Sequence, residues 1–151
     1  SKKVYRFSMI RDVKFSSEFE RAFKRLKKRY RSLPTDFKLL LDSLIENPIQ
    51  GTELRDGMRK VRIAFASKGK GKRAGGRVII QLTMTETCLS FLYIYDKSDM
   101  PSVSDEFLDN IIINFCLVLE KVDTKKSTNE QEKHFKSLHV AASQSASPCR
   151  L

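Results

Sequence analysis

Between Arg55 and Arg77 the chain carries nine basic residues and one acid, Asp56. Three of the basic residues are placed by strand geometry. Residues alternate through Met58–Phe65, so a strand sends Val61, Ile63 and Phe65 to one face and Lys60, Arg62 and Ala64 to the other. Packing the apolar face on a core leaves Lys60 and Arg62 side by side on the open one. Arg77 opens a second apolar strand, Val78-Ile79-Ile80-Gln81-Leu82, which can pair back on the first and set Arg77 opposite them. Several cations converging on one sheet face suit phosphate. RNA brings its own nucleophile, the 2′-hydroxyl, so an enzyme need only align it, accept its proton and stabilise charge on the phosphorus oxygens. Arginine suits the last task because its planar fork clamps phosphate and stays charged. A lysine serves as base only where neighbouring cations weaken its hold on a proton. Lys60, beside Arg62 and facing Arg77, is one candidate, and Lys97 is the other.

The link between the two strands, Lys68-Gly69-Lys70-Gly71-Lys72-Arg73-Ala74-Gly75-Gly76, holds four glycines, so its backbone can turn freely and approach a polyanion. Lys68, Lys70, Lys72 and Arg73 admit two readings: a solvated hairpin loop, or mobile docking cations for RNA or ribosome. The glycines match neither a Walker loop nor a dinucleotide fingerprint, because no helix pattern follows them. A nucleotide cofactor is not expected. Tyr93 and Tyr95, on a strand apolar on both faces, either pack in the core or stack a base and assist proton transfer.

The elements that must position these residues can be read along the chain. An extended segment over roughly 4–15 leads to Ser16-Ser17, either of which can cap a helix with Glu18 and Glu20 in its first turn. Phe19, Ala22, Phe23, Leu26 and Tyr30 form its apolar stripe, with Lys24, Arg25, Lys27, Lys28 and Arg29 mostly off it. Phe37, Leu40, Leu41, Leu44 and Ile45 make a second amphipathic helix, which Asn47-Pro48 stops. Residues 50–57 read as a loop. Leu89–Tyr95 reads as a central strand ending in Asp96-Lys97-Ser98, and Ser104 can cap a last helix buried through Phe107, Leu108, Ile111, Ile112, Phe115 and Leu119.

Length and composition bound the rest. At 151 residues and 40% apolar content the chain suits one domain with a sizeable core. A net charge of +11 and a pI near 9.7 favour polyanionic partners. The charge is uneven: residues 14–31 hold eight basic residues, whereas 98–120 hold five acids and no base. That pattern predicts one basic face and a separate acidic side. Cys88, Cys116 and Cys149 have no metal-ligand spacing, and the apolar surroundings of Cys88 and Cys116 predict buried free thiols in a reducing compartment. His134 and His139, the two histidines, lack a third ligand nearby. No apolar run is long enough to span a bilayer and no signal-peptide core is visible, so a cytoplasmic protein is expected. Composition changes at Lys121. Residues 1–120 are expected to form the folded domain, and 121–151 a dispensable polar appendage with a short helix around 130–138.

The order strand, helix, helix, three strands, helix, with basic side chains on the last three strands, resembles the RelE/ParE superfamily of bacterial toxins. The run KGKGKR-x-GGRVI over Lys68–Ile79, followed by YIYDKS over Tyr93–Ser98, is similar to the RelE-like, HigB-type branch. Phe37–Gly51 and Gly57–Arg62 carry the likeness too, which covers roughly residues 8–118. The resemblance implies an α+β fold: an antiparallel-dominated four-stranded sheet with an N-terminal helical hairpin and a C-terminal helix. It further implies a type II toxin that cleaves messenger RNA in the ribosomal A site without metal or cofactor and binds a cognate antitoxin. By position, Lys60 and Arg62 match the basic pair after the helical hairpin, Arg77 the arginine opening the next strand, and Lys97 the cation closing the last. Ser98 stands where some members have an arginine, and no tyrosine occurs near Ser104 where some have one in the following helix. Two other readings stay open: a ParE-like gyrase poison, against which the GKGKR run argues, and a non-catalytic RNA- or ribosome-binding module.

Overall fold

One side chain joins the first strand, the first helix and a strand far along the chain. The Ser16 hydroxyl accepts the Phe19 N–H at 3.0 Å, capping a helix, and donates to the Leu92 carbonyl at 2.6 Å. The computed structural model describes residues 10–55, 57–69, 74–83 and 87–124. Within them the order is β1 (Asp12–Phe15), α1 (Ser17–Arg29), α2 (Leu33–Glu46), β2 (Thr52–Arg55), β3 (Met58–Ile63), a 3-10 turn (Ala66–Lys68), β4 (Gly76–Thr83), β5 (Cys88–Asp96) and α3 (Asp105–Thr124). The fold is α+β, with a mixed sheet ordered β1-β5-β4-β3-β2. β1 runs parallel to β5, and the other three pairings are antiparallel.

Among the described residues the sheet has five strands where four were expected. The additional one is β2, inside the stretch read as a loop, and it pairs along β3 from Thr52↔Lys60 with an irregularity between Glu53 and Arg55. It is short, charged and at the sheet edge, which is how edge strands avoid further pairing and why no apolar alternation marks it. β1 begins at Asp12, and residues 4–9 of the expected extended segment lie outside the described residues.

The helices form where the apolar spacing places them. α1 buries Phe19, Ala22, Phe23 and Leu26, with Glu18 and Glu20 in its first turn and Lys27, Lys28 and Arg29 in its last, both suited to the helix dipole. α2 starts with Pro34 in its first turn and buries Phe37, Leu40, Leu41 and Leu44. Together they cover one face of the sheet, against Val61, Ile63, Phe65, Val78, Ile80, Leu89, Phe91 and Ile94. The second face is covered by α3, whose Leu108 and Ile111 pack with Met58, Ile79, Leu92 and Tyr95. Ser104 accepts the Phe107 N–H at 3.2 Å, as its place before α3 predicts. Arg55 bonds to Asp109 and lies 3.5 Å from Asp105, fastening α3 to β2.

A bulge sorts β5 between the two cores. Ile79 pairs with Tyr93 but Ile80 pairs with Phe91, so Leu92 is the additional residue. Simple alternation would put Phe91 on the same face as Tyr93 and Tyr95. The bulge lets Phe91 enter the core under α1 and α2 while Tyr95 enters the one under α3.

Two further sequence expectations need correction. The face carrying Lys60 and Arg62 is not wholly open, because α3 covers its Met58–Ile79 end. Cys88 is buried as expected, but Cys116 is exposed. α3 is apolar around much of its circumference, and Cys116 falls on the outer side with exposed Ile113 and Leu117. α3 itself continues to Thr124. Residues 125–151, with His134, His139, Cys149 and the expected short helix, lie outside the described residues. Among the described residues no helix is long and apolar enough to cross a membrane.

Candidate nucleic-acid interface

The register of three strands assembles the site. Arg62 on β3 is the direct partner of Arg77 on β4, and Arg77 is in turn the partner of Tyr95 on β5. Residues paired across a sheet point to the same face, so these three form a row across neighbouring strands, spanning about 10 Å at the usual strand spacing. Lys60 lies two residues from Arg62 on the same face, opposite Ile79. Arg77 therefore stands on the Lys60/Arg62 face, as strand parity predicts, and not among the side chains packed under α1 and α2.

Two glycines make the row possible. A Cβ on Gly75 would come within 2.1 Å of the Ile63 carbonyl oxygen, and one on Gly76 within 2.5 Å of the Phe65 ring and 2.6 Å of the Tyr95 carbonyl oxygen. Their bare backbone lets β4 enter tightly between β3 and β5 just before Arg77. These glycines serve strand packing, where the sequence had pointed to approach by a polyanion.

The cations differ in what already holds them. Arg55 bonds to Asp109, and Arg59 donates to the carbonyls of Gln50 and Gly51 at 2.8 and 3.0 Å. Arg77 is 8% exposed, and its Nη1 donates to the Gly76 carbonyl at 2.9 Å. Lys60 is half-buried and Arg62 exposed, and neither has an ion pair or hydrogen bond among the described residues. Among the described residues, nothing holds the Lys60 and Arg62 side chains against a ligand. Lys97 is exposed in the turn after β5, and its N–H donates to the Gly75 carbonyl at 3.3 Å, which brings that turn beside the start of β4.

Lys68 contradicts its reading as a mobile loop cation. It closes the 3-10 turn, and its Nζ donates to Asp96 Oδ1 at 2.9 Å and Ser98 Oγ at 2.8 Å. Lys70, Lys72 and Arg73 lie outside the described residues. Sequence reasoning missed the group that Lys68 joins. The Asp96 carboxylate is fully buried and takes hydrogen bonds from the Tyr30 hydroxyl, from Lys68 and from the Ser98 N–H, with Arg29 3.6 Å away. Ser98 belongs to this group twice, its N–H donating to Asp96 and its hydroxyl accepting from Lys68. The one signal was the run Asp96-Lys97-Ser98 closing an apolar strand; its partners Tyr30 and Lys68 are too far along the chain to be paired by spacing.

No known protein family's sequence profile matches the chain. Solved structures similar to it include two of one toxin. One is a variant of the E. coli toxin RelE with two arginines replaced by alanine, in the free state. It is 12% identical at a TM-score of 0.46, and the match covers 62% of this chain and 90% of that one. The other is the isolated E. coli RelE toxin, 14% identical at a TM-score of 0.42, covering 66% of this chain and 94% of that one.

The Asp96 group yields a pH prediction. Burial alone would raise the pKa of Asp96, but the hydrogen bonds from Tyr30, the Ser98 backbone, Lys68 and the Ser98 side chain outweigh it and hold the pKa at about 2, below the ordinary 3.8. Tyr30 is raised in turn, chiefly by its bond to Asp96. A depressed carboxylate stabilises the fold above its unfolded pKa and ceases to do so as pH falls through the folded one. The interval between 3.8 and about 2 corresponds to about 2 kcal/mol. Urea unfolding should therefore lose about that much stability between roughly pH 4 and pH 2 through this group. An Asp96→Asn protein should be less stable at pH 6 and show a correspondingly flatter acid limb; equal acid limbs would remove Asp96 from the account.

Proposed function

We propose that this chain is the toxin of a type II toxin–antitoxin pair, of the RelE-like, HigB-type branch, cleaving messenger RNA on the ribosome. The observation that carries the reading is the pairing of Arg62 with Arg77 on one sheet face, with Lys60 beside them. Arg62 and Arg77 would clamp the scissile phosphate and stabilise the charge that develops on its oxygens. The 2′-hydroxyl of the preceding nucleotide attacks phosphorus and the 5′-oxygen leaves, taking up a proton from water, so the products carry a 2′,3′-cyclic phosphate and a 5′-hydroxyl. Lys60 or Lys97 takes the proton from the 2′-hydroxyl. This chemistry uses no metal or cofactor, since the nucleophile is already on the substrate. Lys70, Lys72 and Arg73 would dock ribosomal or messenger phosphate through screened, interchangeable attraction. The partners are the ribosome with its message and a cognate antitoxin covering the basic face, all in the cytoplasm.

Inducible expression with mapping of transcript ends tests the reading, beside a Lys60→Ala/Arg62→Ala/Arg77→Ala variant. Cut messages from the wild-type chain and intact ones from the variant support it. Linearised plasmid with stalled replication would mean a gyrase poison, and polysome association without cleavage a binding module.

A further inference from the structure

Among the described residues, the Tyr95 hydroxyl is the one buried side-chain polar group with no hydrogen-bond partner. The residue is 4% exposed and packs by its ring, stacked on Tyr93 with centroids 6.2 Å apart and in contact with the core under α3. Phenylalanine would serve that packing without stranding an oxygen, and a buried hydroxyl that bonds nothing weakens a fold. Its cross-strand partner is Arg77, which is itself nearly buried and has one hydrogen bond among the described residues, to the carbonyl of Gly76. A guanidinium has five N–H donors in a rigid plane, so most of Arg77's remain unused.

We propose that Tyr95 is a positioning residue for Arg77: the guanidinium leaves the Gly76 carbonyl to fork onto an RNA phosphate, and the Tyr95 hydroxyl oxygen accepts one of its remaining N–H groups. This rests on the reading of the Arg62–Arg77 face as a phosphate site. The hydroxyl suits the task because it is neutral. Burial raises its pKa, with Arg77 opposing, so it stays protonated at neutral pH and orients the cation without cancelling its charge. A carboxylate at that place would compete with the phosphate.

The test is Tyr95→Phe, which removes only the oxygen. Its thermal midpoint should equal or exceed the wild type's, and its affinity for ribosomes should be unchanged. Single-turnover cleavage of bound message should fall about tenfold or more, as for loss of a hydrogen bond to a charged group. Introduced into Arg77→Ala it should slow cleavage no further, because it acts only through Arg77. A second arm needs no cleavage. Titrating a 2′-deoxy oligonucleotide should rigidify the Arg77 side-chain ¹⁵N signals in the wild type and not in Tyr95→Phe. Wild-type cleavage by Tyr95→Phe, a parallel loss of stability, additivity with Arg77→Ala, or equal rigidifying in both proteins would overturn the proposal. Absence of cleavage by the wild type would count against the endonuclease reading instead, leaving the oligonucleotide arm to decide on Tyr95.

Discussion

Replacing Arg77 with alanine should slow cleavage of ribosome-bound message by on the order of a hundredfold or more while leaving ribosome binding nearly intact. Charge builds on the phosphate oxygens only in the transition state, so a fixed guanidinium stabilises that state selectively. The strand register sets the Arg77 backbone between Arg62 and Tyr95, where Gly75 and Gly76 let β4 enter tightly, and the side chain is 8% exposed. Arg62→Ala should show the same split between binding and rate. Arg77→Lys should rescue poorly, because lysine keeps the charge and loses the fork. Lys68→Ala should behave oppositely, losing stability through Asp96 while bound message is still cut. Single-turnover rates measured at saturating ribosome, with thermal midpoints beside them, separate these outcomes. An Arg77→Ala protein that cuts at the wild-type rate once bound would move the catalytic centre elsewhere.

Phe91→Ala should destabilise the fold by roughly 3–5 kcal/mol, the range for removing a buried aromatic ring. Phe91 is fully buried, and its ring meets Phe15 from β1 at 5.3 Å, Phe19 from α1 at 5.5 Å and Phe37 from α2 at 5.0 Å. One ring therefore joins four elements, and the packing has no slack to close the cavity. A loss of that size is a large share of the stability of a small domain. Leu39→Ala, at a position 66% exposed on α2, should be close to neutral. Denaturant midpoints of the two variants check both statements, and a shift for Phe91→Ala below about 1 kcal/mol would show that the core relaxes around the gap.

What the residues disclosed beforehand was what alternation and capping control. Val61, Ile63 and Phe65 face one core because they alternate with Lys60 and Arg62, and Ser16 and Ser104 cap helices because each hydroxyl accepts an N–H of the first turn that follows it. The side of the sheet taken by Arg77 followed from the same parity. Contacts decided by register or by distance along the chain stayed hidden. The bulge at Leu92 separates Phe91 from Tyr95, and nothing in the apolar run Leu89–Tyr95 marks it. Lys68 looked interchangeable with Lys70 and Lys72 until its ion pair with Asp96, 28 residues away, gave it a structural duty. β2 escaped because four residues with two charges carry no pattern.

In the proposed reaction the Lys60–Arg62–Arg77 face directs a 2′-hydroxyl onto the neighbouring phosphorus. That step is tested most directly by a message carrying one 2′-deoxynucleotide just 5′ of the mapped cleavage site, bound to purified ribosomes with excess protein. Expected are no cut at that bond, full cleavage of the all-ribose message in the presence of a chelator, and products ending in a 2′,3′-cyclic phosphate and a 5′-hydroxyl. Cleavage of the 2′-deoxy bond at the ribose rate, leaving a 5′-phosphate, would mean that water is the nucleophile and would contradict it.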